Sequence, residues 1–169
     1  MSGLKWVLPR ALMADSLRIM QPHGQRGNEG LALWFGQGDE REVQFTHVVD
    51  IFGPGFRTTP LYMSLTWRAM ATLTDFADRH GIFLAGQIHS HPGTFVDLSQ
   101  LDQAHGIRVP DYLSVVCPYY AQDPHTVLDA CGVHLFEMNR YRRMGTDELR
   151  RRLVLRDAPL QSVRLEVPA

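Results

Sequence analysis

An apolar run of strand length, IFLAGQIH at residues 82–89, leads into the sequence SHPG. Gly81 fits the stop of a preceding helix, and Pro92-Gly93 turns the chain just beyond. In a strand, side chains at i and i+2 point to one side. His89 and His91 therefore leave the strand end together and can converge on one ion. Asp102 comes early in a helix begun by Ser99 and can return to supply a third donor. Two histidines and a carboxylate form a known catalytic zinc set that leaves the fourth position to water. Zinc lowers the pKa of such a water to about 7. Each piece also has a plainer reading. A lone histidine is more often a satisfied polar residue than a ligand. Ser99-x-x-Asp102 is a capping-box pattern. The two readings are compatible, because the serine can begin the helix that presents the aspartate.

The remaining elements follow from periodicity. Pro9 fits the first turn of a helix whose Leu12, Ser16, Leu17 and Met20 share one side, with Pro22 and Gly24 ending it. GLALWFG, residues 30–36, reads as a buried strand. EVQFTHVVDIF reads as the second strand of a hairpin. Thr59 and Pro60 fit the N-cap and first residue of a long helix. Its apolar face is Leu65, Ala69, Leu73, Phe76 and Ala77. YLSVVCPYY and CGVHLFEM read as strands, a short helix begins at Thr146, and SVRLEV is a last strand. Strands and helices mix without strict alternation, which implies an α/β or α+β domain around one mixed sheet.

The 169 residues suit one domain with one core. With 44% apolar and 21% charged residues, the composition is that of a soluble globular protein. A net charge of −1 lacks the basic balance of a nucleic-acid binder, so no nucleic-acid partner is expected. No apolar run approaches the roughly 20 residues of a membrane span, so no membrane partner is expected either. No signal peptide is evident at the start. Two cysteines, Cys117 and Cys131, are too few for a disulfide framework, and a cytoplasmic location with reduced thiols is expected. The arginines of NRYRRMGTDELRRRLVLR read as a solvated helix face.

HSHPGTFVDLSQLD resembles the JAMM motif of the MPN+ (JAB domain) metalloprotease family, H-x-H-x(7)-S-x-x-D, with every spacing kept. The glutamate that precedes that family's first central strand is matched by Glu29 in NEGLALWFG. Glu40 and Glu42 compete for its role but sit at the hairpin turn. The resemblance covers roughly residues 9–136 and leaves a helix and strand extension at 140–169. It implies a single MPN/JAB-like domain, a mixed central sheet flanked by helices, with a cytidine-deaminase-like core. It implies one zinc per chain held by His89, His91 and Asp102. Glu29 resembles the general base, and Ser99 the donor that steadies the oxyanion. Ser90 is no nucleophile in this scheme, because a metal-bound histidine cannot act as its base.

Active members of that family cut isopeptide or peptide bonds at the C-terminus of ubiquitin or a ubiquitin-like protein. This chain is similar to small stand-alone prokaryotic members. Some of those accompany ubiquitin-fold sulfur carriers, and others ubiquitin-conjugation enzymes in antiviral defence. The expected partner is therefore the C-terminal tail of a ubiquitin-like protein. Gly93, Phe95 and Val96 are the expected wall of its groove. Two other readings remain at this point: a catalytically silent MPN scaffold, and another zinc hydrolase. A deaminase would need H-x-E and P-C-x-x-C, which are absent. A second zinc at Cys117, His125, Cys131 and His134 is not expected, since Cys117 lies in an apolar run where a buried thiol is common.

Overall fold

In a computed structural model describing residues 3–169, the segment Leu31–Gly38 lies near the middle of a nine-stranded mixed sheet. Its alternate residues face two different cores. Trp34 and Ala32 pack with Trp6, Phe45 and Val115, while Leu31, Leu33 and Phe35 pack with Val49, Ile51 and Phe76. Because both faces are covered, LALWF reads as one solid apolar run rather than an alternating one.

The elements in chain order are β1 (Lys5–Pro9), α1 (Ala11–Gln25), β2 (Leu31–Gly38), β3 (Glu42–Phe52), β4 (Phe56–Thr58), β5 (Met63–Leu65), α2 (Trp67–His80), β6 (Phe83–Ser90) and α3 (Gln100–His105). Then follow β7 (Leu113–Cys117), β8 (Gly132–Glu137), β9 (Arg140–Arg143), α4 (Thr146–Arg152), β10 (Leu153–Arg156) and β11 (Gln161–Glu166). The sheet order is β10-β1-β3-β2-β6-β7-β8-β9. The long β3 takes β1 along its first residues and β11 along its last, both parallel. β4 and β5 form a separate hairpin. α1 covers one face of the sheet and α2 the other, so this is a mixed α/β domain.

α1 buries Leu12, Ser16, Leu17 and Met20, the face expected from its spacing. Ser16 accepts a hydrogen bond from Trp34 Nε1 at 2.9 Å, which satisfies both buried polar groups. Its ends differ from expectation. Pro9 closes β1 rather than opening the helix, and the helix runs through Pro22 to Gln25. α2 begins later than its sequence suggested. Thr66, not Thr59, is the N-cap, accepting from Ala69 N at 3.1 Å. Thr59 instead closes the β4–β5 turn, where its hydroxyl accepts from Leu61 N and Tyr62 N. Both threonines sit before a plausible helix start, and only the turn geometry separates them. Leu65 accordingly belongs to β5, while Ala69, Leu73, Phe76 and Ala77 form the buried helix face. Gly81 ends α2 in the left-handed conformation, φ 61°.

The arginine-rich segment is not one solvated helix face. Residues 140–143 form β9, and Arg142 bridges Glu137 and Glu148. Arg152 lies 4.7 Å from the centre of the Trp6 ring and donates to Leu4 O. Only Arg150 and Arg151 in the last turn of α4 fit the solvated reading. No helix among the described residues is long and apolar enough to cross a membrane. Replacing Thr66 with alanine is expected to lower unfolding free energy by about 1 kcal/mol in urea denaturation. An unchanged midpoint would deny Thr66 its capping role.

Candidate metal centre

β6 runs between β2 and β7 and ends at Ser90. Its last residues sit between Leu31 on one side and Val116 and Cys117 on the other. The ladder continues one step past the strand, with His91 N donating to Cys117 O at 2.9 Å. His89 is thus flanked by strands on both sides and His91 is held by the chain that ends β7, and both are buried, at 1% and 5% exposure.

Ser99 and Asp102 form a complete capping box. Ser99 Oγ accepts from Asp102 N at 3.1 Å, and Ser99 N donates to Asp102 Oδ2 at 2.8 Å. The same Oδ2 faces both histidines. It lies 3.4 Å from His89 Nε2 and 3.2 Å from His91 Nε2, and the two nitrogens are 3.2 Å apart. A tetrahedral zinc with ligands at about 2.0–2.1 Å would set its donor atoms about 3.3 Å apart. The three donors match that triangle.

The tautomer of His91 points the same way. His91 Nδ1 lies 3.0 Å from Phe95 O, a carbonyl that can only accept, so this nitrogen carries the proton in the neutral ring. His91 Nε2 then presents a lone pair towards the carboxylate oxygen of Asp102. Protons on the rings or one cation must sit among these atoms. Burial pushes Asp102 up, but hydrogen bonds from His89 and His91 outweigh it and hold the carboxyl well below the usual range. For His91, burial pulls the pKa down, and the Asp102 hydrogen bond, the Phe95 carbonyl and Glu29 together raise it.

Glu29 completes the group. Its Oε1 lies 3.9 Å from His91 Nε2, and the donor atoms of Glu29, His89, His91 and Asp102 all fall within 4.8 Å of one another. The carboxylate is only 3% exposed, and Oε2 is buried without a hydrogen-bond partner. Burial pushes its pKa up to about 7; His91 pulls it down and Asp102 pushes it up. A cation among the neighbouring donors would pull it back towards the ordinary range. Glu40 and Glu42 sit at the far end of β2, with Glu40 exposed and Glu42 3.5 Å from Arg156.

Four hydrogen bonds to the backbone of Glu29 and Gly30 fix this glutamate. Gly30 N donates to Ser90 Oγ at 2.8 Å and Gly30 O accepts from Ser90 N at 3.1 Å, which ties β2 to the histidine strand. Glu29 N donates to Thr59 O at 3.0 Å, and the Thr58 hydroxyl donates to Glu29 O. Ser90 is therefore a fully buried clamp between strands. The roles of Ser90, Thr58 and Thr59 carry no local sequence signal, because their partners lie 29 to 60 residues away.

A cleft of about 570 Å³ opens beside Asp102, lined by Leu31, Met63, Leu65, Met70 and Leu101 among others. Gly93, Phe95 and Val96 are not among its lining residues. Phe95 is 57% exposed and stacks on the His91 ring at 5.9 Å, and the Gly93 carbonyl accepts from Tyr119 N. β7 ends at Cys117, short of the two tyrosines placed in it by sequence. Pro118 intervenes, and Tyr119, Tyr120 and Ala121 all take positive φ, at 56°, 53° and 58°. Of the other candidate ligands, Cys117 and Cys131 are buried free thiols, and the Cys117 thiol and burial together push Cys131 up. His134 bonds Ser114 O, and His125 lies in an exposed loop.

A mixed α/β domain carrying a buried Glu–His–His–Asp cluster able to hold a metal, with the residue set of the JAMM motif, is the class that this fold and site define. No family model matches the chain. The "Probable metalloprotease y4jG" of Sinorhizobium fredii is 31% identical over 130 residues, covering 73% of this chain and 80% of that protein. The chain belongs to the family of that Sinorhizobium protein. Its fold is similar to the solution structure of protein DSY2949 from Desulfitobacterium hafniense, with a TM-score of 0.68 and 18% identity over 91% of this chain and 94% of that one. A looser superposition, TM-score 0.48 at 13% identity, is found with AF2198, a JAB1/MPN domain protein from Archaeoglobus fulgidus, over 92% of this chain and 99% of that one.

Purified protein loaded with zinc is expected to retain about one ion per chain after dialysis. The His89→Ala/His91→Ala double variant should retain none at equal concentration. Equal zinc in that variant, measured by atomic emission, would show that the ion sits elsewhere.

Proposed function

We propose that this chain is a zinc-dependent peptidase or isopeptidase of the JAMM type. In this reading it acts in the cytoplasm and cleaves after the C-terminal glycine of a ubiquitin-like protein. The observation that carries the enzymatic part is the buried Glu29 carboxylate, unpaired at Oε2, set beside three donor atoms already spaced for a metal. A purely structural zinc site has four protein ligands and no need of a spare carboxylate. The y4jG name, a probable metalloprotease, agrees with this reading.

His89, His91 and Asp102 would hold the ion. Zinc there would polarise the scissile carbonyl and lower the pKa of a water to about 7. Glu29 accepts a proton at Oε2 during attack and returns it to the departing amine nitrogen, so the carboxylate ends as it began. Ser99 Oγ already accepts from Asp102 N, which leaves its own O–H free to donate to the developing oxyanion. The Thr59 and Thr58 contacts keep the Glu29 backbone from swinging away while its side chain works.

The substrate class rests on the JAMM resemblance and on the shape of the cleft. Among the described residues β5 pairs only with β4, which leaves its other edge open to an extended backbone as an added strand. Met63, Leu65, Met70 and Leu101 supply an apolar lining for the side chains of such a tail. Glycine at the cleavage point lets the carbonyl reach the buried donors. In this arrangement Phe95, exposed and stacked on His91, would meet the residues beyond the cut, with Gly93 and Val96 shaping its loop.

The test is a fusion of a cognate ubiquitin-like protein to a second protein through its C-terminus. Zinc-loaded enzyme should release the intact ubiquitin-like protein, and a chelator should stop it. Glu29→Gln should keep its zinc yet lose at least about a hundredfold in turnover. Near-normal turnover of that variant would remove Glu29 from the mechanism. Equal cleavage of unfolded casein would overturn the substrate class, and no cleavage of any fusion would favour a silent scaffold.

A further inference from the structure

We infer that Tyr120 is a positioning residue for Glu29, closing a ring of hydrogen bonds around the metal centre; this rests on the reading of Glu29 as the proton carrier. The ring can be traced atom by atom. Tyr120 N donates to the carbonyl of His91 at 2.8 Å. Its phenol donates to Pro60 O at 3.0 Å, across the gap to the β4–β5 turn. The neighbouring residue, Thr59, accepts from Glu29 N at 3.0 Å. Gly30 and Ser90 then bond reciprocally and lead back to His91. One tyrosine thus spans from a metal-ligand residue to the hairpin that holds the proton carrier.

The backbone at this tyrosine is unusual. Three consecutive non-glycine residues, Tyr119 to Ala121, stand in the left-handed region. L-residues visit that region singly and at a cost, and such strain persists only where the surroundings over-determine it. Here they do. Tyr119 N and Tyr120 N are both spent on carbonyls of the loop that follows the histidine strand. Gln122 Nε2 reaches back to both Tyr120 O and Gln21 O. Gly24 lets α1 approach, since a Cβ there would come within 2.3 Å of Tyr120 O. An ordinary turn could join β7 to the following loop. The left-handed turn differs in sending the phenol to the hairpin while its amide holds the His91 carbonyl.

Among the described residues β4 and β5 pair only with each other and each has three residues, so the hairpin has little else in its own ladder to fix it. Without the phenol, its tip can move away from β2, and the Thr59 carbonyl moves with it. Glu29 then samples positions farther from the donor atoms.

Tyr120→Phe deletes only the hydroxyl and tests this in zinc-loaded protein by amide hydrogen exchange. The Glu29 amide is expected to exchange at least about fivefold faster, while the Val115 amide in central β7 changes by less than about twofold and zinc content is unchanged. An unchanged Glu29 rate would overturn the proposal. So would equal acceleration at Val115, which would mark a general loss of stability. On the fusion substrate, kcat should fall at least about threefold with KM unchanged, and Tyr120→Phe should cost nothing further in a Glu29→Gln background. Full additivity of the two changes would also overturn it. A wild-type enzyme that cleaves no fusion counts against the peptidase reading alone, because the exchange ratio needs no turnover.

Discussion

Two imidazole nitrogens and a carboxylate oxygen meet at 3.2–3.4 Å in the interior of this protein, and the rest of the structure is arranged around that meeting. Without a cation or shared protons, lone pairs so placed repel one another, and burial removes the water that would screen them. Such a cluster survives only if the backbone leaves its members no retreat. The ladder on both sides of β6 does this for His89, and the Cys117 carbonyl and Tyr120 amide do it for His91. The capping box does it for Asp102, whose Oδ2 serves the helix start and the site together. A change that freed α3 would therefore free a ligand as well.

Placement within the sheet explains why the site can be buried and still reached. β6 lies in the interior of the sheet, between β2 and β7, with cores on both faces formed under α1 and α2. The histidines stand where this strand ends, His89 within its last residues and His91 just past it, and their rings meet Asp102 at the start of α3. Glu29 enters the same space from the start of the neighbouring antiparallel strand. Antiparallel pairing of β2 with β6 is what brings the beginning of one strand to the end of the other. Glu40 and Glu42, at the opposite end of β2, are excluded by the same geometry.

What was legible in the sequence was local. The i, i+2 histidines and the Ser99–Asp102 box depend on neighbours a few residues away, and the structure shows both together. The buried face of α1 and the stop of α2 at Gly81 were legible for the same reason. The start of α2 was not, because Thr59 and Thr66 offer the same hydroxyl chemistry and only the intervening hairpin decides between them. β1 and β10 were missed, since each is short and pairs in parallel with partners far along the chain. The cleft was out of reach as well. Leu31, Met63 and Leu101 line it together from three separate elements, and no spacing rule joins them. The left-handed turn at Tyr119 was hidden because aromatic residues after an apolar run read as strand.

The most direct test of the central claim is anomalous diffraction at the zinc edge from crystals of zinc-loaded protein. One peak per chain is expected, bonded to His89 Nε2, His91 Nε2 and Asp102 Oδ2, with Glu29 beside it and outside bonding distance. A peak bonded to Cys117 or Cys131, or one with Glu29 as a fourth protein ligand closing the coordination shell, would contradict the account of this centre as catalytic.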